Sequence, residues 1–321
     1  MNICVIGLGS MGKRRIRLLL EKDSELTITG IDNNDERVKN VSEQYHIPCY
    51  LSLDHTDKKF DCAFVCTSPL SHGKIIRECL NRDCHIFSEI NLIDDLYEEN
   101  MCLAKEKNKV LFLSSTPIYR SEMQYISEKV RKNGNPCVYQ YHVGQYLPDW
   151  HPWDNLKDFF VSNRQTNGCR EYLAIELPWM QMAFGKITGV NVIKQKLTQL
   201  ELDFPDTYLI QLTHENGNRG NLLVDVVSRQ SVRHLEVINE DIYIRWDGKP
   251  DSLYEKDIQT GELIQVLTGK YVHMPGYAEW INETSYADEI NMFFDVIEGV
   301  KPIYDFAKDL ETLKIIDEIE G

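Results

Sequence analysis

The stretch Asn2-Ile3-Cys4-Val5-Ile6-Gly7-Leu8-Gly9-Ser10-Met11-Gly12 constrains this chain more than any other. Its apolar opening is too short for a helix and suits a buried parallel strand. The three glycines that follow have the spacing G-x-G-x-x-G. Gly7 permits a tight turn out of the strand, Gly9 lets a phosphate approach the backbone, and Gly12 lets the next helix pack close. That helix, expected over Met11 to Glu21, aims its unpaired N–H groups at the same phosphates, so Ser10 and Met11 join the glycines as candidate contacts. A second apolar run, Leu26 to Ile31, ends in Asp32, about twenty residues after Gly12, where an acid accepts hydrogen bonds from adenosine ribose hydroxyls. The bland alternative is a strand–turn–helix of some other α/β protein. The full context favours a dinucleotide-binding half.

The length of 321 residues predicts two domains. A net charge of −15 argues against nucleic acid as a partner. No apolar run approaches the roughly 18 residues that span a membrane, and the start carries no basic leader, so neither a membrane nor a signal peptide is expected. Nine cysteines are present. Cys62-x3-Cys66 and Cys79-x4-Cys84 invite a metal reading, but no Cys-x2-Cys pair occurs. Buried reduced thiols in a cytoplasmic protein, with no metal, are the expectation.

Strand and helix patterns alternate from Asp32 to Lys132. Helices are expected over Asn34 to Tyr45 with Asn33 or Asn34 as cap, from the Pro69 loop to Leu80, over Asp95 to Glu106 with Asp94 as N-cap, and over Ile118 to Lys132. Strands are expected at Ile47 to Tyr50, Phe60 to Cys66, His85 to Glu89 and Val110 to Leu113. Alternation of this kind predicts a Rossmann-type, doubly wound parallel sheet, with ligands beyond the carboxyl ends of its strands. There the glycine turn, Asp32, Thr67, Ser68, Pro69, His72 and Glu89 are the candidate cofactor contacts. After the turn cluster Asn133 to Pro136 the pattern changes. A helix from Arg170 to Phe184, stopped by Gly185, is followed by alternating runs that predict a large, mostly antiparallel sheet, then two final helices. The expected division is a dinucleotide-binding domain over 1–118 and an α+β substrate and oligomerisation domain over 119–321. The last helix is free to pack back on the first domain, and self-association across the open sheet face is expected.

The glycine turn, Asp32, the loop Cys66-Thr67-Ser68-Pro69-Leu70-Ser71-His72, the strand His85 to Glu89 and the late Tyr286-Ala287-Asp288-Glu289-Ile290 helix resemble the glucose–fructose oxidoreductase / inositol dehydrogenase / MocA family over nearly the whole chain. The resemblance implies an NAD(P)-dependent oxidoreductase of sugars, cyclitols or their derivatives, built as a dimer or tetramer. It also exposes departures. Where that family carries Glu-Lys-Pro, this chain has Glu89-Ile90-Asn91, and isoleucine moves no proton. Where the family has an Asp and a His four apart on a helix, counting back from Gly185 gives Glu171 and Ile175, with Glu176 as rival for the acid.

Replacement chemistry is offered by Gln145-Tyr146-Leu147-Pro148-Asp149-Trp150-His151-Pro152-Trp153. Aromatic faces stack on sugar rings, while Asp and His bond hydroxyls or move protons. The candidate catalytic groups are therefore Glu171, His151 and Asp149. The candidate substrate contacts are Tyr146, Trp150, Arg170 and Glu176, the arginine for an anionic substrate. Packing of the tryptophans and an ion pair for Arg170 are the competing readings. Asp32 favours NAD over NADP, because a carboxylate repels a 2′-phosphate. The first functional reading is an NAD-dependent oxidoreductase of a sugar, sugar derivative or nucleotide sugar with atypical acid/base residues. The second, prompted by Ile90 and Ile175, is a catalytically degenerate NAD- or sugar-binding module with a regulatory or assembly role.

Overall fold

The structure is a computed structural model that describes residues 1–150, 159–267, 269, 271–274 and 281–321. The chain divides into two compact units, Met1–Ser115 with Tyr286–Leu310, and Thr116–Ser285 with Glu311–Gly321. The segment Tyr286–Leu310, which the sequence reading placed in the second domain, thus groups with the first.

In the first unit, β1 (Asn2–Ile6), β2 (Thr27–Ile31), β3 (Cys49–Tyr50), β4 (Cys62–Val65), β5 (His85–Ser88) and β6 (Leu111–Leu113) form one sheet in the order β3-β2-β1-β4-β5-β6. Every neighbouring pair is parallel. The central strands β1 and β4 bury almost every side chain, as strands covered on both faces must. The chain winds outward from β1 in one direction and then restarts at β4 in the other, so the carboxyl ends of β1 and β4 mark the topological switch point.

Helices α1 (Ser10–Lys22), α2 (Asp35–Tyr45), α3 (Pro69–Asn81) and α4 (Tyr97–Glu106) connect the strands. Asn34 caps α2 by accepting the Arg37 N–H. The expected Asp94 cap of α4 is a correction. Leu96 takes a left-handed conformation with φ of 57°, which delays the helix to Tyr97, and the Asp94 backbone carbonyl accepts the Tyr97 N–H instead. The apolar centre of the unit is aromatic. Phe87 stacks between Phe64 and Phe112 at 4.7 and 5.2 Å, and the edge of Phe293 meets all three at 5.3 to 5.7 Å. Phe293 comes from α7 (Glu283–Ile297).

In the second unit, a 3-10 turn at Thr116–Tyr119 precedes α5 (Ser121–Asn133), replacing the single helix expected from Ile118. Strands β7 (Val138–Gly144), β8 (Ile187–Gln195), β9 (Thr207–His214), β10 (Arg219–Asp225), β11 (Val232–Ile238), β12 (Tyr243–Trp246), β13 (Leu253–Lys256) and β14 (Leu263–Gln265) form a sheet in the order β14-β13-β12-β11-β7-β10-β9-β8. Only β7 and β10 pair in parallel. Alternation along β7 turns Tyr139, Tyr141 and Val143 to the buried face. There Tyr139 stacks on Phe184 at 4.1 Å and Tyr141 meets Trp179 edge-on at 5.6 Å, both partners from α6 (Gly168–Phe184). Gly220 has to be glycine, because a Cβ there would lie 2.0 Å from the Tyr139 ring. The helix α6 continues through Pro178 and stops at Gly185, whose φ is 93°. The opposite sheet face exposes Ile193, Leu209 and Val138. α8 (Phe306–Glu320) closes the chain.

Candidate functional site

In the first unit, the three glycines divide their work as the spacing predicts. Gly7 has φ of 93° and donates its N–H to the Ile31 carbonyl at 2.8 Å; a Cβ on it would lie 2.6 Å from the Cys66 carbonyl oxygen. A Cβ on Gly12 would lie 1.9 Å from the Gly7 carbonyl oxygen. Around Gly9, by contrast, a Cβ would meet nothing within 4 Å. No side chain caps α1, so the open space at Gly9 is flanked by the donors of Ser10 and Met11. That is the cradle a pyrophosphate requires.

Asp32 is buried and ties two loops together. Its Oδ2 accepts the Leu8 N–H at 2.7 Å and its Oδ1 accepts the Asn34 N–H at 2.9 Å. Each oxygen retains capacity for a second bond, as a ribose diol would use. The Arg37 guanidinium lies 3.7 Å from Oδ2. Beyond β4, the Thr67 and Ser71 hydroxyls are 2.8 Å apart, Ser68 accepts from Ser71 through its carbonyl, and Pro69 opens α3. His72 is buried, with Nε2 2.9 Å from the Thr67 carbonyl and Nδ1 2.7 Å from the Asn91 side-chain amide. Burial lowers its pKa, outweighing both bonds, and the ring braces the loop between Thr67 and Asn91.

Glu89 is held from below. The fully buried Arg15 guanidinium donates to Glu89 at 2.6 Å and to Glu289 at 2.7 Å, and packs over the Phe87 ring. Glu289 also accepts the Ser115 N–H at 2.6 Å. Burial raises the Glu289 pKa, against the pull of Arg15. The pairing of residues 15 and 289 escaped sequence reading because nothing local records it.

In the second unit the candidates gather at one end of the large sheet. β7 and β10 run parallel to Gly144 and Asp225, and their loops continue the pairing: Tyr146 N–H donates to the Ser228 carbonyl at 2.6 Å and Leu147 N–H to Val226 at 3.0 Å. The Trp150 indole donates to the Gln145 carbonyl at 3.2 Å and meets Tyr172 edge-on at 4.9 Å. Tyr146, Trp150 and Tyr172 are thereby brought onto the amino end of α6. Glu171, the neighbour of Tyr172, is half-buried, and its Oε2 is shielded from solvent with no hydrogen-bond partner. Burial pushes its carboxyl up to about 7. Ile175 follows one turn on, also half-buried.

Glu176 is committed elsewhere. Its carboxylate accepts from the Tyr141 hydroxyl at 2.8 Å, the Trp179 indole at 2.6 Å and Arg233 at 3.2 Å. Arg170 is also engaged: it donates to Asp317 at 2.7 Å and to Glu320, locking the start of α6 to α8. Asp149 is exposed in a short 3-10 turn. His151 lies outside the described residues. Arg229 and Arg233 were missed. Arg229 lies over the Tyr146 ring at 3.6 Å, and the available signal was two arginines four apart, one in the loop before β11 and one within it, in an acidic chain. All nine cysteines are free thiols, and among the described residues no group of three or more His, Cys, Asp or Glu is arranged to hold a metal.

Residues 1–114 match the Gfo/Idh/MocA family, described as an oxidoreductase family with an NAD-binding Rossmann fold. The match falls on the first domain of the chain. The glycine turn and Asp32 lie within the matched residues, and their geometry fits a dinucleotide. No curated protein matches by sequence. Solved structures share the fold at low identity. UDP-N-acetylglucosamine 3-dehydrogenase GnnA from Acidithiobacillus ferrooxidans is 17% identical with a TM-score of 0.78, over 100% of this chain and 96% of that one. An Agrobacterium radiobacter oxidoreductase crystallised with NAD+, L-tartaric acid and magnesium is 12% identical with a TM-score of 0.81, over 99% and 94%. Levoglucosan dehydrogenase in complex with NADH and L-sorbose is 14% identical with a TM-score of 0.81, over 99% and 95%. Within the matched residues, the Ile90–Asn91 peptide is trans, and Asn91 is buried beside His72. The asparagine serves there as the hydrogen-bonding neighbour of that ring. Among the described residues no helix is long and apolar enough to cross a membrane.

Proposed function

We propose that this protein is an NAD-dependent oxidoreductase acting at a hydroxyl or carbonyl carbon of a sugar, sugar derivative or nucleotide sugar. The first unit holds the cofactor through Gly7, Gly9, Gly12 and Asp32, with Thr67 to His72 shaping the loop beside them. Asp32 favours NAD over NADP. Bound there, the nicotinamide supplies the hydride acceptor or donor.

Glu171 carries the catalytic reading. An unpartnered carboxylate oxygen is costly to bury, so an orphan of this kind fits a group awaiting a hydroxyl. With its pKa raised to about 7 by burial, the carboxyl is poised to take the hydroxyl proton in oxidation and to return it in reduction. Tyr146, Trp150 and Tyr172 supply the apolar faces a sugar ring stacks on. Asp149 and His151 complete the set as further proton or hydroxyl partners. The match of residues 1–114 to an oxidoreductase family and the fold shared with dehydrogenases support the class of reaction, and the low identity leaves the sugar open. Self-association through the outer sheet face fits its exposed Ile193, Leu209 and Val138.

The test joins binding to turnover. NADH fluorescence is titrated, then sugars and nucleotide sugars are assayed for absorbance change with NAD. Glu171→Gln is expected to lower kcat at least about 100-fold, the scale of lost acid–base catalysis, with NADH affinity kept. In oxidation, activity should rise with pH through about 7 as Glu171 becomes the base. Undiminished kcat in Glu171→Gln would sink the assignment. NADH binding with no turnover of any substrate would favour the binding-module reading.

A further inference from the structure

Arginines crowd the same end of the large sheet, and most are spent on the protein itself. Arg170 is bound by Asp317 and Glu320, Arg233 by Glu176, and Arg164 donates to the Asp203 carbonyl. Arg229 differs. It is exposed, and no carboxylate lies within ion-pair reach of it among the described residues. It is nevertheless not a loose surface cation. Its guanidinium lies 3.6 Å from the centre of the Tyr146 ring. The two loops that carry the pair are clamped together by the bond from Tyr146 N–H to the Ser228 carbonyl, at 2.6 Å, and by the Leu147 to Val226 bond. Stacking on an aromatic face orients a guanidinium while leaving its N–H edge free to donate. The Tyr146 loop also carries Trp150, which touches Tyr172 beside Glu171. A preoriented cation therefore stands over the loop whose Trp150 touches Tyr172, the chain neighbour of Glu171.

We propose that Arg229, stacked on Tyr146, is the receptor for a negatively charged group of the substrate, a carboxylate or a phosphate attached to the sugar. The net charge of −15 repels anions from the surface at large, so an anionic substrate needs a dedicated cation. A planar fork receives either oxyanion by two parallel N–H donors. The proposal rests on the oxidoreductase reading, narrowing its substrates to those that bear charge.

The test compares each acid with its neutral parent. Calorimetry of the full chain measures glucose against glucuronate, for the carboxylate, and glucose against UDP-glucose and UDP alone, for the phosphates. The wild type is expected to favour at least one anionic arm over the neutral parent by tenfold or more. Arg229→Gln should cut that ratio about thirtyfold, the scale of a lost charge-assisted bond. Arg229→Lys should keep part of it. Tyr146→Ala should lose about fivefold and Tyr146→Phe little, since the ring face remains. Arg131→Gln, an exposed arginine on α5, controls for bulk charge. A wild type that prefers no anion, or a ratio that survives Arg229→Gln, overturns the proposal. Binding that depends on Arg229 without any NAD-linked absorbance change upholds it and sinks the oxidoreductase reading. Turnover of neutral sugars with no effect of Arg229 does the reverse.

Discussion

Two glycines three residues apart serve different ends: Gly12 the fold, Gly9 the proposed cofactor. Gly12→Ala would drive a methyl group to 1.9 Å from the Gly7 carbonyl oxygen, whereas Gly9→Ala meets nothing within 4 Å. Differential scanning fluorimetry should therefore show Gly12→Ala losing about 1–3 kcal/mol and Gly9→Ala staying within about 0.5 kcal/mol of the wild type. NADH titration should show Gly9→Ala weakened at least about tenfold, because its methyl group would occupy the space a phosphate needs. Glu171 adds a pH signature to its variant. A carboxyl whose folded pKa stands at about 7 holds its proton in the native state over a range where the unfolded chain, near 4.3, has lost it. That contribution is complete below the unfolded value and is lost as pH rises through about 7. The stability of Glu171→Gln relative to wild type should accordingly increase between pH 5 and pH 8. At this scale the sequence was legible where spacing is the chemistry: Gly7, Gly9, Gly12 and Asp32 announce themselves. It was silent where partners are far apart in the chain. Nothing in the local sequence says that Arg170 turns to Glu320, or that Arg229 finds Tyr146.

Elements were easiest to read where burial is one-sided or complete. The short apolar strands of the first sheet and the alternation of β7, β9 and β10 are visible as hydrophobic patterns. β13 was missed because Leu253-Tyr254-Glu255-Lys256 places one fully buried residue among charged ones, near the sheet edge. The start of α4 was misplaced because a left-handed leucine leaves no signature. The end of α8 carries a polar latch. Arg170 grips Asp317 and Glu320, and Asn167 donates to the same Glu320 at 2.6 Å. Arg170→Lys keeps the charge but loses the fork, so the expected result is a loss of about 1–3 kcal/mol in chemical denaturation. A structural latch predicts a normal KM for any substrate found; a substrate contact predicts a raised KM. Steady-state kinetics on the same variant separates the two.

For the whole molecule, the large sheet has one face packed on helices and one face open, with Ile193 63% and Leu209 51% exposed. Ile193 and Leu209 sit side by side on neighbouring strands, where a second copy of the chain would cover them under the proposed self-association. Sedimentation should find the protein as a dimer or larger, and Ile193→Glu with Leu209→Glu should yield monomers; a monomeric wild type would overturn self-association. The division into units carries a different consequence, for the order of events during synthesis. The aromatic centre of the NAD-binding unit waits for Phe293, and the buried Arg15 waits for Glu289. A ribosome delivers the glycine turn long before those two residues. The first unit is thus unable to complete its core until all of Thr116–Ser285, which belongs to the second, has been made. Throughout that interval Phe64, Phe87 and Phe112 lack their closing partner, which makes the nascent first domain a natural client for chaperones.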